Sequence, residues 1–98
     1  MKYGKKKGKA YKRSEMGEFY MNAHPQCEVC QAPSIDLHHI ITRKTGGPDE
    51  YWNYLALCKI DHQVFHLMGR YSFAVRYPQF REKIESACER MGRAFDKG

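Results

Sequence analysis

Leu37-His38-His39-Ile40 is the stretch on which the reading of this chain turns, together with the residues that answer it downstream. Two adjacent histidines close an apolar, β-branched segment. Asn53 follows fourteen residues after His39, His62 nine residues after that, and His66 four residues later still. Four residues make about one helical turn, so His62 and His66 share a face wherever a helix carries them. Three of these four imidazoles can hold one cation while the fourth stands beside it. An open metal site needs three protein ligands and positions left for water and substrate. An imidazole that titrates near neutrality suits a general base. Spacing alone does not say which of His38 and His39 is ligand and which is base. A purely architectural metal site on the same residues would leave one histidine without a role.

Working outward, Ile35 to Ile41 predicts a strand from its β-branched and apolar content. Residues 42–50, with Gly46-Gly47-Pro48, predict a loop, Tyr51 to Leu57 a second strand, and Asp61 to Met68 a helix stopped by Gly69. All four histidines fall within this order of strand, loop, strand and helix. Upstream, Ser14 caps an expected helix to Ala23, which His24-Pro25 ends. Downstream, Arg70 to Tyr77 predicts a short helical turn. A last helix is expected over about 79–96, with Phe80, Ile84, Ala87, Cys88, Met91 and Phe95 as its apolar stripe. Pairs such as Arg81/Glu85 and Glu89/Arg93 decorate its other faces. Cys88 lies in the stripe and reads as a core thiol.

The other three cysteines bracket the histidines. Cys27-x-x-Cys30 presents two sulfurs to one ion from a single turn, and thiolates favour zinc. Cys58 follows the second expected strand and supplies a third ligand. Asp61 repeats the two-residue gap and offers a carboxylate oxygen as the fourth ligand of a closed structural zinc site. His24 is held in reserve for that fourth place and reads otherwise as a surface histidine.

Ninety-eight residues make one small domain, and at that size a bound metal is a common staple. No apolar run approaches the roughly 18–20 residues that cross a membrane. The start, Met1-Lys2-Tyr3-Gly4, lacks the apolar core of a signal peptide. These features predict a cytoplasmic protein, where cysteines serve as ligands and core thiols rather than as disulfides. The net charge of +6 is unevenly placed. Residues 1–13 hold seven of the 17 basic side chains and no acid, whereas the rest of the chain holds ten basic and eleven acidic ones. This Gly- and Lys-rich tail buries too little apolar surface to order itself, so 1–13 is expected to be a disordered basic tail before a single domain over 14–98. Its lysines, Lys5, Lys6 and Lys7 among them, suit phosphate contacts, which are strong, sequence-blind and weakened by salt. Arg43 and Lys44, just past the first strand, are candidates for the same task, with solvated loop charges as the plainer reading.

His38-His39, Asn53, and His62 with His66 resemble the motif of the HNH endonucleases, whose fold is the ββα-metal unit. The spacing resembles that of the colicin DNase branch. The flanking cysteines and Leu55-Ala56-Leu57-Cys58 resemble the zinc-containing branch found in phages and bacteria. His38-His39-Ile40-Ile41 with Gly46-Gly47, and the stretch from Phe73 to Pro78, are also similar to phage recombination-enhancement nucleases. The resemblance covers about residues 24–68. It implies a small α+β fold with a ββα-metal core, a structural zinc site and flanking helices. It implies a metal-dependent endonuclease of a bacterial or phage-infected cell, in which His38, His62 and His66 bind the catalytic ion and His39 activates water. Asn53 would hold the loop of the motif. Asp61 departs from the family, where a second cysteine or a histidine is more usual. The ion is expected to be Mn, Ni, Co or Zn more readily than Mg, which prefers oxygen ligands. The substrate is expected to be nucleic acid, DNA by preference. Two rivals stand beside this reading: a non-catalytic, zinc-stabilised DNA-binding module, and an accessory factor whose nuclease waits for a phage or host protein partner.

Overall fold

The structure, a computed structural model, describes residues 13–33 and 36–95. Of the expected basic tail only Arg13 falls among them, so Lys5, Lys6 and Lys7 lie outside the described residues, as does Ile35 at the start of the first expected strand. The described elements form a small α+β unit. Helix α1 spans Glu15–Ala23, strand β1 Asp36–His39, strand β2 Tyr54–Leu57, helix α2 Lys59–Met68, helix α3 Arg70–Arg76 and helix α4 Arg81–Arg90. Short 3-10 turns precede β2 at Tyr51–Asn53 and α4 at Pro78–Phe80, and another lies in the inter-strand loop at Arg43–Thr45. Among the described residues, no helix is long and apolar enough to cross a membrane.

β1 and β2 pair antiparallel, with Asp36 opposite Leu57, Leu37 opposite Ala56, His38 opposite Leu55 and His39 opposite Tyr54. Strand side chains alternate between faces. One face therefore carries Asp36, His38, Leu55 and Leu57, and the other carries Leu37, His39, Tyr54 and Ala56. Leu55 and Leu57 join the larger core with Phe65, Phe73, Phe80, Ile84, Ala87 and Cys88, where α2, α3 and α4 meet. Full burial of each Leu, Ile or Phe side chain among them is worth about 1.5–3 kcal/mol. Tyr54 and Ala56 instead meet Tyr20 and Met21 of α1. A Cβ on Gly17 would lie 2.7 Å from Leu37 Cδ2, so α1 sits close on this face and a larger residue there would make the Leu37 side chain shift.

Ser14 caps α1, its side chain accepting from the Gly17 N–H. The Tyr20 hydroxyl donates to Glu28 Oε2 at 2.5 Å, and the Ala56 N–H donates to the same oxygen at 2.9 Å. Lys83 donates to the Tyr20 hydroxyl at 2.7 Å, and burial lowers its pKa. This network ties α1, the turn after it, β2 and α4 together. Cys88 is buried in the α4 face, as its place in the stripe predicts.

Four boundaries differ from the sequence expectation. β1 ends at His39, because Ile40 and Ile41 bend away to meet the Asn53 side chain and carbonyl. β2 starts at Tyr54 rather than Tyr51, because Tyr51–Asn53 form the turn that buries Asn53. α2 starts at Lys59 rather than Asp61, because Cys58 is itself the N-cap and its sulfur accepts from the Asp61 N–H. The C-terminal helix expected over about 79–96 is a 3-10 turn followed by α4. It ends at Arg90, since Gly92 adopts φ +65°, and Arg93 turns back to donate to the Thr45 carbonyl rather than running on along the helix face.

Candidate functional site

The loop from Ile40 to Asn53 sets the geometry of the site. Asn53 is fully buried, and its side chain makes three hydrogen bonds across that loop. Oδ1 accepts from the Ile41 N–H at 2.9 Å, while Nδ2 donates to the carbonyls of Ile41 at 3.0 Å and Pro48 at 3.1 Å. The Asn53 carbonyl also accepts from the Ile40 N–H at 2.8 Å. A Cβ on Gly47 would stand 1.7 Å from the Ile41 carbonyl oxygen, so the loop can fold back on the strand end only with glycine there. Together these contacts fix where β1 releases its last side chains.

On the face toward α2, His38 is 1% exposed, and neither ring nitrogen has a hydrogen-bond partner among the described residues. Burying a polar group without a partner is costly, and each such group requires an explanation. Burial, followed by the neighbouring His62, His66 and His39, pushes the pKa of His38 well below its usual value, so the ring is neutral at neutral pH. Burial first, and then His62, also lowers the pKa of His66. His62 and His66 sit one turn apart on α2 with their Nε2 atoms 3.2 Å from each other. Rings of His62 and His66 stand 4.9 and 5.2 Å from the His38 ring. One nitrogen from each of the three lies within 4.8 Å of the others. Imidazole nitrogens converging in this way can present lone pairs to one point, which suits a divalent cation.

The His62 ring is turned by a residue that the sequence reading passed over. Asp36 Oδ2 accepts from His62 Nδ1 at 2.8 Å, which leaves Nε2 facing His38 and His66. Such a carboxylate orients a ligating histidine and raises its basicity. Asp36 sits two residues before His38, on the same face of the strand, so period-two alternation could have found it.

His39, on the opposite face and at the end of the strand, lies outside that trio of donors. Its Nε2 pairs with Asp49 Oδ1 at 2.9 Å, and its ring stands edge-on to Tyr54 at 5.3 Å. His38, His39, His62 and His66 nevertheless line one pocket of about 200 Å³, with Leu37 and Arg43 at its walls. Arg43 is also part of an adjoining cleft, formed with Lys44, Gly46, Gly47, Pro48 and Asp49. The two loop cations expected to meet phosphate are thus contiguous with the histidine pocket.

The four expected zinc ligands also come together. Cys27, Cys30, Cys58 and Asp61 have their ligand atoms within 4.8 Å of one another. Cys30 and Cys58 sulfurs are 3.9 Å apart, and Asp61 Oδ2 lies 3.2 Å from the sulfurs of both Cys27 and Cys58. A tetrahedral site with Zn–S bonds of about 2.3 Å places its sulfurs about 3.8 Å apart, so this donor set fits zinc. All four cysteines are free thiols. Crowding shows in their titration. The Ala32 backbone hydrogen bond lowers the pKa of Cys30, but desolvation and hydrogen bonds with Asp61, Cys27 and Cys58 outweigh it and push the thiol up to about 11. A cation held by these residues would favour the deprotonated thiolates instead. His24 is elsewhere, stacked on Tyr20 with Nδ1 3.0 Å from the Tyr20 carbonyl, and takes no part in the cluster.

No curated protein matches the chain. Residues 27–66, which run from the first cysteine to the last histidine, match the family model described as HNH endonuclease. Two antiparallel strands, a clamped loop and a following helix carry that matched segment, so this part of the chain is similar to the HNH endonuclease family in sequence and has the small α+β arrangement expected of it.

Proposed function

We propose that this protein is a metal-dependent endonuclease that hydrolyses phosphodiester bonds of nucleic acid, with DNA as its preferred substrate. The observation that carries the reading is His38: a buried, neutral imidazole with two unpartnered nitrogens, facing two further histidines whose nitrogens converge on the same point. His38, His62 and His66 would hold a divalent ion, which would supply Lewis-acid stabilisation of the negative charge that develops at the scissile phosphate. Asp36 holds His62 in the tautomer that such binding needs.

His39 is the general base. It borders the pocket without belonging to the trio of donors, and it removes a proton from a water placed in line with the scissile bond. Asn53 keeps the strand end and the loop in register, so its role is structural support of His39 rather than contact with substrate. Arg43 and Lys44 bind the phosphates that flank the cut, and Lys5, Lys6 and Lys7 add nonspecific affinity from the tail. Cys27, Cys30, Cys58 and Asp61 hold a structural zinc that fastens the turn before β1 to the start of α2. The products are a 5′-phosphate and a 3′-hydroxyl.

Incubation of supercoiled plasmid with the protein and Mn²⁺, Ni²⁺, Co²⁺, Zn²⁺ or Mg²⁺, against a chelator control, tests the reading. Cleavage is expected with the imidazole-preferring ions and should stop in chelator. Labelling the new ends by ligase or kinase should report 5′-phosphates. Intact plasmid under every metal would overturn the assignment.

A further inference from the structure

We propose that Asp49, braced by Tyr54, is the positioning carboxylate of His39. This rests on His39 being the general base, and it assigns the group that makes the ring competent for that role.

Three groups form a chain behind the ring. Asp49 Oδ1 accepts from His39 Nε2 at 2.9 Å, and the Tyr54 hydroxyl donates to the same oxygen at 3.1 Å. Ser14 Oγ, the cap of α1, stands 3.1 Å behind the Tyr54 hydroxyl. Each link is held from outside the chain. Tyr54 is fully buried and is the register partner of His39 across the sheet, so its ring is fixed by packing and its hydroxyl by geometry. Asp49 follows Pro48, whose carbonyl is gripped by Asn53 Nδ2, and Gly47 folds that segment against Ile41. The Asn53 clamp therefore reaches His39 through Asp49.

The chemistry matches the arrangement. A neutral imidazole that donates its Nε2 proton to a carboxylate carries its lone pair on the other nitrogen, the form that can take a proton from water. When the proton arrives, the ring becomes a cation whose charge the adjacent carboxylate offsets, and the proton stays on the ring. No bond to Asp49 is made or broken. Magnitudes separate this from a purely structural pair. The Asp49 side chain is 33% exposed, and pairs at such partly exposed positions stabilise proteins little. A structural role alone would therefore leave turnover nearly unchanged, whereas loss of an orienting carboxylate costs about 10–100-fold behind a metal-bound histidine and up to about 10⁴-fold behind a general-base histidine.

The test uses the full, zinc-loaded protein on plasmid with Mn²⁺, comparing wild type, Asp49→Asn, Tyr54→Phe, His39→Ala and the double variant His39→Ala/Asp49→Asn. Asp49→Asn should lower kcat by about 10-fold to 10⁴-fold, with KM for DNA and metal content unchanged. Tyr54→Phe should lower kcat in the same direction by less. The double variant should be no slower than His39→Ala, because Asp49 acts only through His39. Wild-type kcat in Asp49→Asn overturns the proposal, as does a loss confined to KM, which would make Asp49 a DNA contact. A further loss in the double variant as large as that of Asp49→Asn alone overturns it too. Should Asp49→Asn not fold, unchanged kcat in Tyr54→Phe overturns it by itself. His39→Ala cutting at the wild-type rate removes the base assignment instead, a result distinct from any of these.

Discussion

Replacing Asn53 by alanine removes the clamp on which the whole site depends, and the cost can be worked from its partners. The side chain supplies the acceptor for the buried Ile41 N–H and the donors for the Ile41 and Pro48 carbonyls. An orphaned buried donor costs about 1–3 kcal/mol, and an under-satisfied carbonyl, with its second lone pair, about 1 kcal/mol each. The expected loss is therefore about 3–5 kcal/mol, a large share of the 5–15 kcal/mol typical of a domain. In a chain of this size each kcal/mol moves Tm by about 4–8 °C, so even the lower figure predicts a drop of more than about 12 °C. Asn53→Asp sharpens the test. It keeps the acceptor for Ile41 but sets a carboxylate against two carbonyl oxygens. Its folded-state pKa is thus raised, and its deficit should shrink as pH falls through that value and the carboxyl regains a donor proton. Thermal melts of the zinc-loaded variants, followed by circular dichroism, read both effects without reference to activity. If Asn53→Ala melts within about 4 °C of wild type, less than 1 kcal/mol has been lost and the clamp is not what holds the loop.

Removal of the zinc proposed at Cys27, Cys30, Cys58 and Asp61 should unfold the protein or lower its Tm steeply, since binding free energy at such a site is folding free energy. Cys58→Ala should do the same and lose the metal in elemental analysis, while Asp61→Ala, which keeps three thiolates, should lose less. Asp36→Asn should weaken the divalent ion at the histidines about 10–100-fold by calorimetry, with the zinc retained; unchanged affinity would deny Asp36 its orienting role. Deleting residues 1–13 removes seven basic side chains and no acid. If about four of them meet phosphates on duplex DNA, the slope of log affinity against log salt should lose roughly 3–4 units in fluorescence anisotropy, with cleavage at saturating DNA changing far less. An unchanged slope would move duplex binding to Arg43, Lys44 and the helices.

What the sequence made legible was local periodicity. His62 and His66 announce a shared helix face through their spacing of four, whereas which of His38 and His39 faces them is settled only by the strand register. Cys27 and Cys30 share one turn, and Cys58 with Asp61 repeats their gap at the start of α2. Less legible were features decided by tertiary contacts. Tyr51-Trp52-Asn53 reads as strand from its aromatic content, yet burial of the Asn53 amide against Ile41 and Pro48 bends it into a 3-10 turn. Cys58 looks like a ligand alone, but its sulfur also caps α2, which moves the helix start forward. Asp49 sits in a segment whose Gly-Gly-Pro composition says only loop. Its meeting with His39 depends on the Asn53 hydrogen bond to Pro48 and on the close approach of Gly47 to Ile41, contacts across the loop that no periodicity encodes. The C-terminal stripe predicts the buried face of α4 correctly through Cys88, but Phe95 reaches the core from beyond the helix end, after the Gly92 turn.

The most direct test of the central claim is single-turnover cleavage of plasmid by wild type and His39→Ala at saturating Mn²⁺, with metal content measured on the same samples. General-base catalysis contributes about 10²–10⁴-fold. The expected result is a rate loss in that range, with zinc and divalent-ion occupancy unchanged, because His39 lies outside both donor clusters. Cleavage by His39→Ala at the wild-type rate, or loss of the histidine-bound ion in that variant, would contradict the account.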